Sequence, residues 1–207
     1  MREALLAVRR LARGRDVALV YAAIVVGVAV ALALLPQARA DAVVLRSSTN
    51  LVNLRLHPPF VVVVSAFVEP SLLDLVLLVP LVWAFGALQR RTGRAALLVA
   101  AVLGHLTATL VVSTLLLAGI TKGRIALAEA VAPDVGVSYA LVAVLGLLTA
   151  WAPPARRLWF VAGGTVAFVA VVVVSRTFTD LGHLVAWSVG LALALLVRQA
   201  TVRGSAG

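Results

Sequence analysis

Residues 134–152, DVGVSYALVAVLGLLTAWA, contain the pattern that decides how this chain folds. A nearly uninterrupted apolar run follows Ser138, so this hydroxyl lies where a membrane-spanning helix would begin. Residues 180–197, DLGHLVAWSVGLALALLV, place His183 in the same way at the start of a second apolar run. Polar or ionisable side chains inside a spanning segment are costly and mark candidate functional sites. A hydroxyl and an imidazole at matching depth are the minimal parts of an activated nucleophile.

The composition indicates an integral membrane protein. Of the 207 residues, 63% are hydrophobic, and the mean hydropathy is +1.11, whereas soluble domains are about 45–50% apolar. The chain has no cysteine, which excludes a disulfide framework and a cysteine-ligated metal site. The net charge of +10 could suit a nucleic-acid partner. However, the arginines lie between apolar blocks, so we expect a protein of the lipid bilayer that binds no nucleic acid.

Six apolar segments are long enough, or nearly long enough, to cross a bilayer, which takes about 17–25 residues. These segments are residues 17–35, 71–89, 95–119, 136–152, 158–175 and 182–197. The sequence therefore predicts an all-α, polytopic six-helix membrane domain over residues 17–200, with a basic segment at 1–16 and a short tail at 201–207. The first segment is longer than the core of a signal peptide, about 7–15 residues, which favours a retained anchor.

The arginines predict the orientation of the chain. With the N-terminus in the cytoplasm, 12 of the 18 lysine and arginine residues fall on the cytoplasmic side, as the positive-inside rule requires. The cytoplasmic residues are Arg2, Arg9, Arg10, Arg13, Arg15, Arg90, Arg91, Arg94, Arg156, Arg157, Arg198 and Arg203. The outer residues are Arg39, Arg46, Arg55, Lys122, Arg124 and Arg176. We therefore expect a multi-pass protein of the plasma membrane with both termini in the cytoplasm and with outer loops at 36–70 and 120–135.

Ser138 and His183 are expected to meet. Segments two, four and six would run parallel, from the outside inward, and both side chains would lie within about one turn of the outer boundary. Asp74, near the start of segment two, falls in the same layer. Segment six also has a small residue at every fourth position: Gly182, Ala186, Gly190 and Ala194. In lipid, such spacing allows two helix backbones to approach closely, and Gly136 and Ala140 offer a matching face on segment four.

Several short motifs occur in a defined order along the chain. They are Ser65-Ala66-Phe67, Trp83-Ala84-Phe85-Gly86, Arg90-Arg91-Thr92-Gly93, Gly136-Val137-Ser138 with Gly146, and His183 with Ala186 and Gly190. In this order the motifs resemble the rhomboid family of intramembrane serine proteases. The resemblance implies a six-helix core in which Ser138 is the nucleophile and His183 the general base. It also implies transmembrane protein substrates, cut near the outer face without a cofactor or a metal.

The sequence departs from the family's pattern at three positions. The second helix of the family usually presents a His and, four residues later, an Asn that help to hold the oxyanion, and these positions are Asp74 and Leu78 here. The residue after the nucleophile, usually Gly, is Tyr139. A missing oxyanion donor costs roughly 10²–10³ in rate. Three interpretations stay open: backbone amides near Ser138 stabilise the oxyanion, a neutral Asp74 donates a hydrogen bond to it, or turnover is poor.

The candidate site consists of Ser138 and His183, supported by Gly136, Tyr139, Asp74 and Asp180 as oxyanion or positioning residues. Asp180 precedes His183 by three residues, so the two share a helix face. We interpret His105 as a structural histidine and His57 as a loop residue, and such scattered histidines do not suit a zinc site, which needs about three ligands. One alternative is a rhomboid-like protein that binds transmembrane segments without cutting them. Another is a small transporter or channel, which would need a polar stripe through the bilayer centre. The sequence does not indicate the oligomeric state.

Overall fold

The computed structural model describes residues 14–204, with side chains as far as Thr201, and this range is helical without strands. The α-helices are α1 (Asp16–Ala33), α2 (Gln37–Ser47), α3 (Leu51–Leu56), α4 (Pro58–Ser65), α5 (Leu78–Thr121), α6 (Ser138–Leu148), α7 (Pro154–Ser175) and α8 (Phe178–Gly204). Short 3-10 helices lie at Leu72–Leu77, Leu127–Val131 and Thr149–Trp151. Most of the predicted basic segment 1–16, with Arg2, Arg9, Arg10 and Arg13, lies outside the described residues, as do the side chain of Arg203 and residues 205–207 of the predicted tail.

Four helices in the described range are long and apolar enough to cross a membrane: Asp16–Ala33, Leu72–Thr121, Pro154–Ser175 and Phe178–Thr201. Ser138–Trp151 is apolar but shorter. Helices suit such apolar segments because a helix satisfies its own backbone hydrogen bonds, which lipid cannot do. The predicted all-helical class is confirmed, whereas the count of six crossings stays a prediction.

The long helical stretch Leu72–Thr121 is bent at Gly93. This glycine has φ 85° and ψ 176° and divides α5 into arms 78–92 and 94–121; a positive φ costs glycine little because it has no Cβ. A straight helix over these 50 residues would be about 75 Å long, more than twice the roughly 30 Å of the hydrocarbon core. The bend lies between predicted segments 71–89 and 95–119. The two arms therefore correspond to predicted segments two and three.

The short helix α6 lies at the centre of the bundle. Its residues 139–144 are all buried, together with Gly146 and Leu147. A Cβ placed on Gly104 of α5 would lie 2.1 Å from the Cβ of Ala143, so only glycine allows α5 to come this close. A buried core helix can be shorter than a lipid-facing one, since its neighbours shield its ends from the bilayer.

The small residues of α8 form its contact with α6, as their spacing predicted. All four are buried: Gly182, Ala186, Gly190 and Ala194. A Cβ on Gly190 would lie 2.2 Å from the carbonyl oxygen of Ala143, and one on Gly146 would lie 3.0 Å from the Cα of Gly190. The prediction was wrong about the facing positions, which are Ala143 and Gly146. Gly136 and Ala140 had been predicted to share one face of the helix. Gly136 precedes α6, so it is not part of that face.

The connection between α1 and α5 is largely helical and is hydrogen-bonded to the loop before α6. Asn50 caps α3, since its Oδ1 accepts from the amide of Asn53 at 2.9 Å. Most of the apolar run 60–67 belongs to α4, which is too short to span a membrane. Thr49 donates its amide N–H to the carbonyl oxygen of Asp134 at 3.0 Å, and the N–H of Asp134 donates to Ser48 Oγ at 2.7 Å. These bonds hold the segment that leads into α6.

Candidate catalytic site

Ser138 and His183 lie within hydrogen-bonding distance of each other. The Oγ of Ser138, the first residue of α6, is 2.9 Å from Nε2 of His183, which lies in the second turn of α8. The close backbone approach of the two helices brings the two side chains together. When Nε2 is unprotonated it accepts the hydroxyl proton, which is the geometry of a serine activated by a general base.

Asp180 lies on the other side of the imidazole. Its Oδ1 is 3.5 Å from Nδ1 of His183, and its Oδ2 accepts hydrogen bonds from the hydroxyls of Ser175 and Thr177. The two hydroxyls anchor the carboxylate at the turn between α7 and α8. A carboxylate on this side favours the tautomer with the proton on Nδ1, which leaves Nε2 free to accept from Ser138.

We predict that Asp180→Asn lowers the rate at which a serine-directed fluorophosphonate labels the protein by about tenfold. The amide would no longer stabilise the imidazolium, although the loss should stay well below the roughly 10⁴ of a buried triad aspartate because this contact is long and partly solvated. The measurement is the labelling rate of purified protein in detergent. Asp41→Asn, which changes an exposed carboxylate on α2, is the matched control. An unchanged rate in Asp180→Asn would contradict the supporting role.

Tyr139 packs its ring against the imidazole of His183. The ring centroids are 5.3 Å apart at an interplanar angle of 73°, an edge-to-face arrangement that aromatic rings favour. The phenol donates to Asp134 Oδ1 at 2.9 Å. A Cβ on Gly182 would lie 2.4 Å from the Cζ of Tyr139, so glycine next to His183 makes room for this ring. Tyr139, the large residue after Ser138, therefore supports the imidazole of His183 by packing against it.

Asp134 stabilises the loop before α6 through hydrogen bonds and does not cap the helix. The N-cap position of α6 is Val137, which makes no side-chain cap hydrogen bond. The carboxylate of Asp134 accepts from the hydroxyls of Tyr139 and Thr49, at 2.9 and 3.1 Å. Burial raises the pKa of Asp134, and these two hydrogen bonds oppose the rise. Asp134 thus links Thr49, in the connection between α1 and α5, to Tyr139, whose ring packs against His183.

Gly136 and Val137, just before Ser138, are held by the segment that follows α4. Gly136 has φ +124°, a conformation that favours glycine, and donates its N–H to the carbonyl oxygen of Ser65 at 2.9 Å. Val137 donates its N–H to Glu69 Oε1 at 2.8 Å. Sequence reasoning missed Glu69, which is only 4% exposed; its signal is a carboxylate that directly follows the apolar run and precedes a proline.

The buried carboxyl of Glu69 has an altered acidity. Burial raises the pKa of Glu69, the hydrogen bond from Val137 opposes this shift, and the negative charge of Asp74 adds to it. A buried acid without a cation beside it is costly to ionise. In the described residues, no lysine, arginine or histidine forms a salt bridge with Glu69.

Asp74 lies in the 3-10 helix Leu72–Leu77 and not, as expected, in an α-helix. Its carboxylate is partly exposed and makes no side-chain hydrogen bond with any described residue. Among the described residues, no hydrogen bond or salt bridge joins it to Ser138 or His183. Leu78, in the other departing position, is buried in the apolar core. Donation by Asp74 to an oxyanion stays a prediction.

His105 is buried, and its role as a structural histidine stays a prediction. Its Nε2 is 3.0 Å from the carbonyl oxygen of Val62 and 3.3 Å from Ser65 Oγ. A carbonyl only accepts, so Nε2 carries the proton and cannot act as a base toward Ser65. His57 is exposed at the start of α4. Across the described residues, no group of three His, Cys, Asp or Glu side chains could hold a metal ion.

The comparisons with known proteins agree with this architecture. A family model described as rhomboid-like protein matches residues 9–203, which is nearly the whole chain. The chain belongs to the rhomboid-like family and is a multi-pass, all-helical protein of the lipid bilayer. The resemblance seen in the sequence motifs is thereby confirmed. Comparisons with curated proteins and with solved structures return no match.

Proposed function

We propose that this protein is an intramembrane serine protease that cleaves other membrane proteins with a Ser138–His183 dyad. The observation that carries the proposal is the 2.9 Å distance between Ser138 Oγ and His183 Nε2. Membership of the rhomboid-like family supports it, because the resemblance of the sequence motifs implies a nucleophile and a base at these two positions. The carboxylate of Asp180 orients the imidazole from its other nitrogen.

The reaction would proceed by acyl transfer. Nε2 of His183 removes the proton from Ser138 as Oγ attacks the carbonyl carbon of the scissile peptide, which forms a tetrahedral intermediate. The imidazolium then gives this proton to the departing amine, and the peptide C–N bond breaks. Water, activated in turn by His183, attacks the acyl ester and releases the second product with regeneration of Ser138.

Backbone amides at the start of α6 are the donors best placed for the oxyanion. The N–H groups of Ser138 and Tyr139 have no hydrogen-bond partner among the described residues, as expected for the first turn of a helix. The partial positive charge of the helix amino end favours an anion there. Of the three interpretations left open by the sequence, these free amides favour the first.

Substrates of this site would be transmembrane segments cut near the outer membrane face. Ser138 is the first residue of α6, and in the proposed six-crossing topology this end of α6 faces outward. Water reaches the site there, while the rest of α6 stays buried. The proposed location is the plasma membrane, with both termini in the cytoplasm.

We expect that a reporter enzyme active only outside the cytoplasm is inactive when it is fused to the C-terminus. The physical reason is the excess of arginine on the proposed cytoplasmic side. A fusion within the loop after Thr121 should be active and serves as the matched control. Activity of the C-terminal fusion would overturn the six-crossing topology.

The protease activity is tested by cleavage in reconstituted liposomes. The purified protein is combined with fluorogenic substrates that each contain one transmembrane segment, and mass spectrometry locates the cut. Wild type should cleave near the outer boundary, and Ser138→Ala should not. Binding of the substrates without cleavage by wild type would favour the alternative, a rhomboid-like protein that binds transmembrane segments without cutting them.

A further inference from the structure

We propose that Glu69 restrains the reactivity of Ser138, because its carboxylate binds the amide of Val137 at the amino end of α6, next to the amides of Ser138 and Tyr139 that are proposed to hold the oxyanion. This inference rests on the proposed serine protease activity. It assigns a role to a buried acid that the dyad mechanism does not use.

The carboxylate of Glu69 lies directly against the backbone that leads into the nucleophile. Its Oε1 accepts the N–H of Val137 at 2.8 Å and is 3.2 Å from the position that a Cβ on Gly136 would take. Glu69 thus fills the space beside the two residues before Ser138. The amide of Val137, at the amino end of α6, therefore already donates to an acceptor within the chain.

The surroundings of Glu69 offer its charge little compensation. The charged group that acts on it is the carboxylate of Asp74, which is also negative. Tyr21 of α1 is also near, but its hydroxyl donates to the carbonyl oxygen of Ala66. The amino end of α6 is therefore the main feature that favours an anion here.

Attack by Ser138 would place a second negative charge at the same helix end. The oxyanion forms only in the transition state and intermediate, so an ionised Glu69 opposes the chemical step without opposing the binding of the substrate. Preorganised donors at this position have large effects on rate. Removing the charge of Glu69 while keeping its oxygen should therefore accelerate the chemistry.

The test compares Glu69→Gln with wild type in the full chain, using a fluorophosphonate probe over a range of concentrations. Gln keeps an acceptor for the amide of Val137 but carries no charge. We expect the maximal labelling rate to rise about tenfold or more, with the half-saturating probe concentration unchanged. Glu129→Gln, the same change at an exposed position of the 3-10 helix Leu127–Val131, should leave both values unchanged. The double variant Ser138→Ala with Glu69→Gln should not label.

If Glu69 only stabilises the loop before α6, the experiment gives a different result. In that case Glu69→Gln would label at the wild-type rate or more slowly, which overturns the inference while Ser138-dependent labelling of wild type upholds the proposed function. Absence of Ser138-dependent labelling from both proteins would overturn both. Labelling of Glu69→Gln alone would support both. If Glu69→Gln does not fold, as judged by thermal unfolding, Glu69→Met removes the same charge at similar length and should show the same direction of change.

Discussion

Replacing Ser138 with alanine is expected to abolish labelling by a fluorophosphonate, and His183→Ala should reduce it to background. The probe reacts with an activated hydroxyl, which Ser138→Ala removes. His183→Ala leaves the hydroxyl without a base to take its proton at 2.9 Å. Loss of either member of such a unit typically costs on the order of 10⁶ in catalytic rate. Gel fluorescence of the purified variants measures the effect.

The chain provides its own control for this experiment. Ser65 and His105 form a second contact between a serine and a histidine, at 3.3 Å. Nε2 of His105 donates its proton to the carbonyl oxygen of Val62, so it cannot activate Ser65. Ser65→Ala should therefore label like wild type. The bond from Gly136 to residue 65 uses the backbone carbonyl and survives this change. Label that persists in Ser138→Ala, or that disappears in Ser65→Ala, would place the nucleophile elsewhere.

Gly190→Ala should destabilise the protein and reduce labelling strongly. The added Cβ would lie 2.2 Å from the carbonyl oxygen of Ala143, and a backbone atom cannot move aside as a flexible side chain can. Overpacking of this kind costs about 1–3 kcal/mol. Moving α8 away from α6 also lengthens the distance between Ser138 and His183, and a misplacement of about 1 Å can cost roughly 10² in rate. Ala186→Leu should act in the same direction.

Thermal unfolding in detergent and the labelling rate together measure this effect. Gly163→Ala is the matched control, because a Cβ on Gly163 of α7 meets nothing within 4 Å. The control should keep wild-type stability and labelling. Wild-type values for Gly190→Ala would mean that close contact between α6 and α8 is unnecessary for the site.

The helical class and the order of the motifs could be read from the sequence because both depend on local properties. Long apolar runs must be helical in lipid, since no water is present to satisfy the backbone. The spacing of small residues on α8 is also a local property, since it belongs to one face of one helix. It therefore predicted that another helix packs closely against α8. Ser138 and His183 were identified as polar residues in apolar segments, and their roles stay predictions.

The partners of each side chain were decided only by the tertiary structure. Glu69 meets the amide of Val137 across 68 positions of sequence, and no periodicity links such a pair. Tyr139 looked like a departure from the family pattern, whereas in the structure it connects Asp134 to His183. The facing positions on α6 also differed from those expected, because Gly136 precedes the helix. Local pattern determines which helices form, but the side chains that meet depend on how the helices rotate and cross, and this is set by packing among all of them.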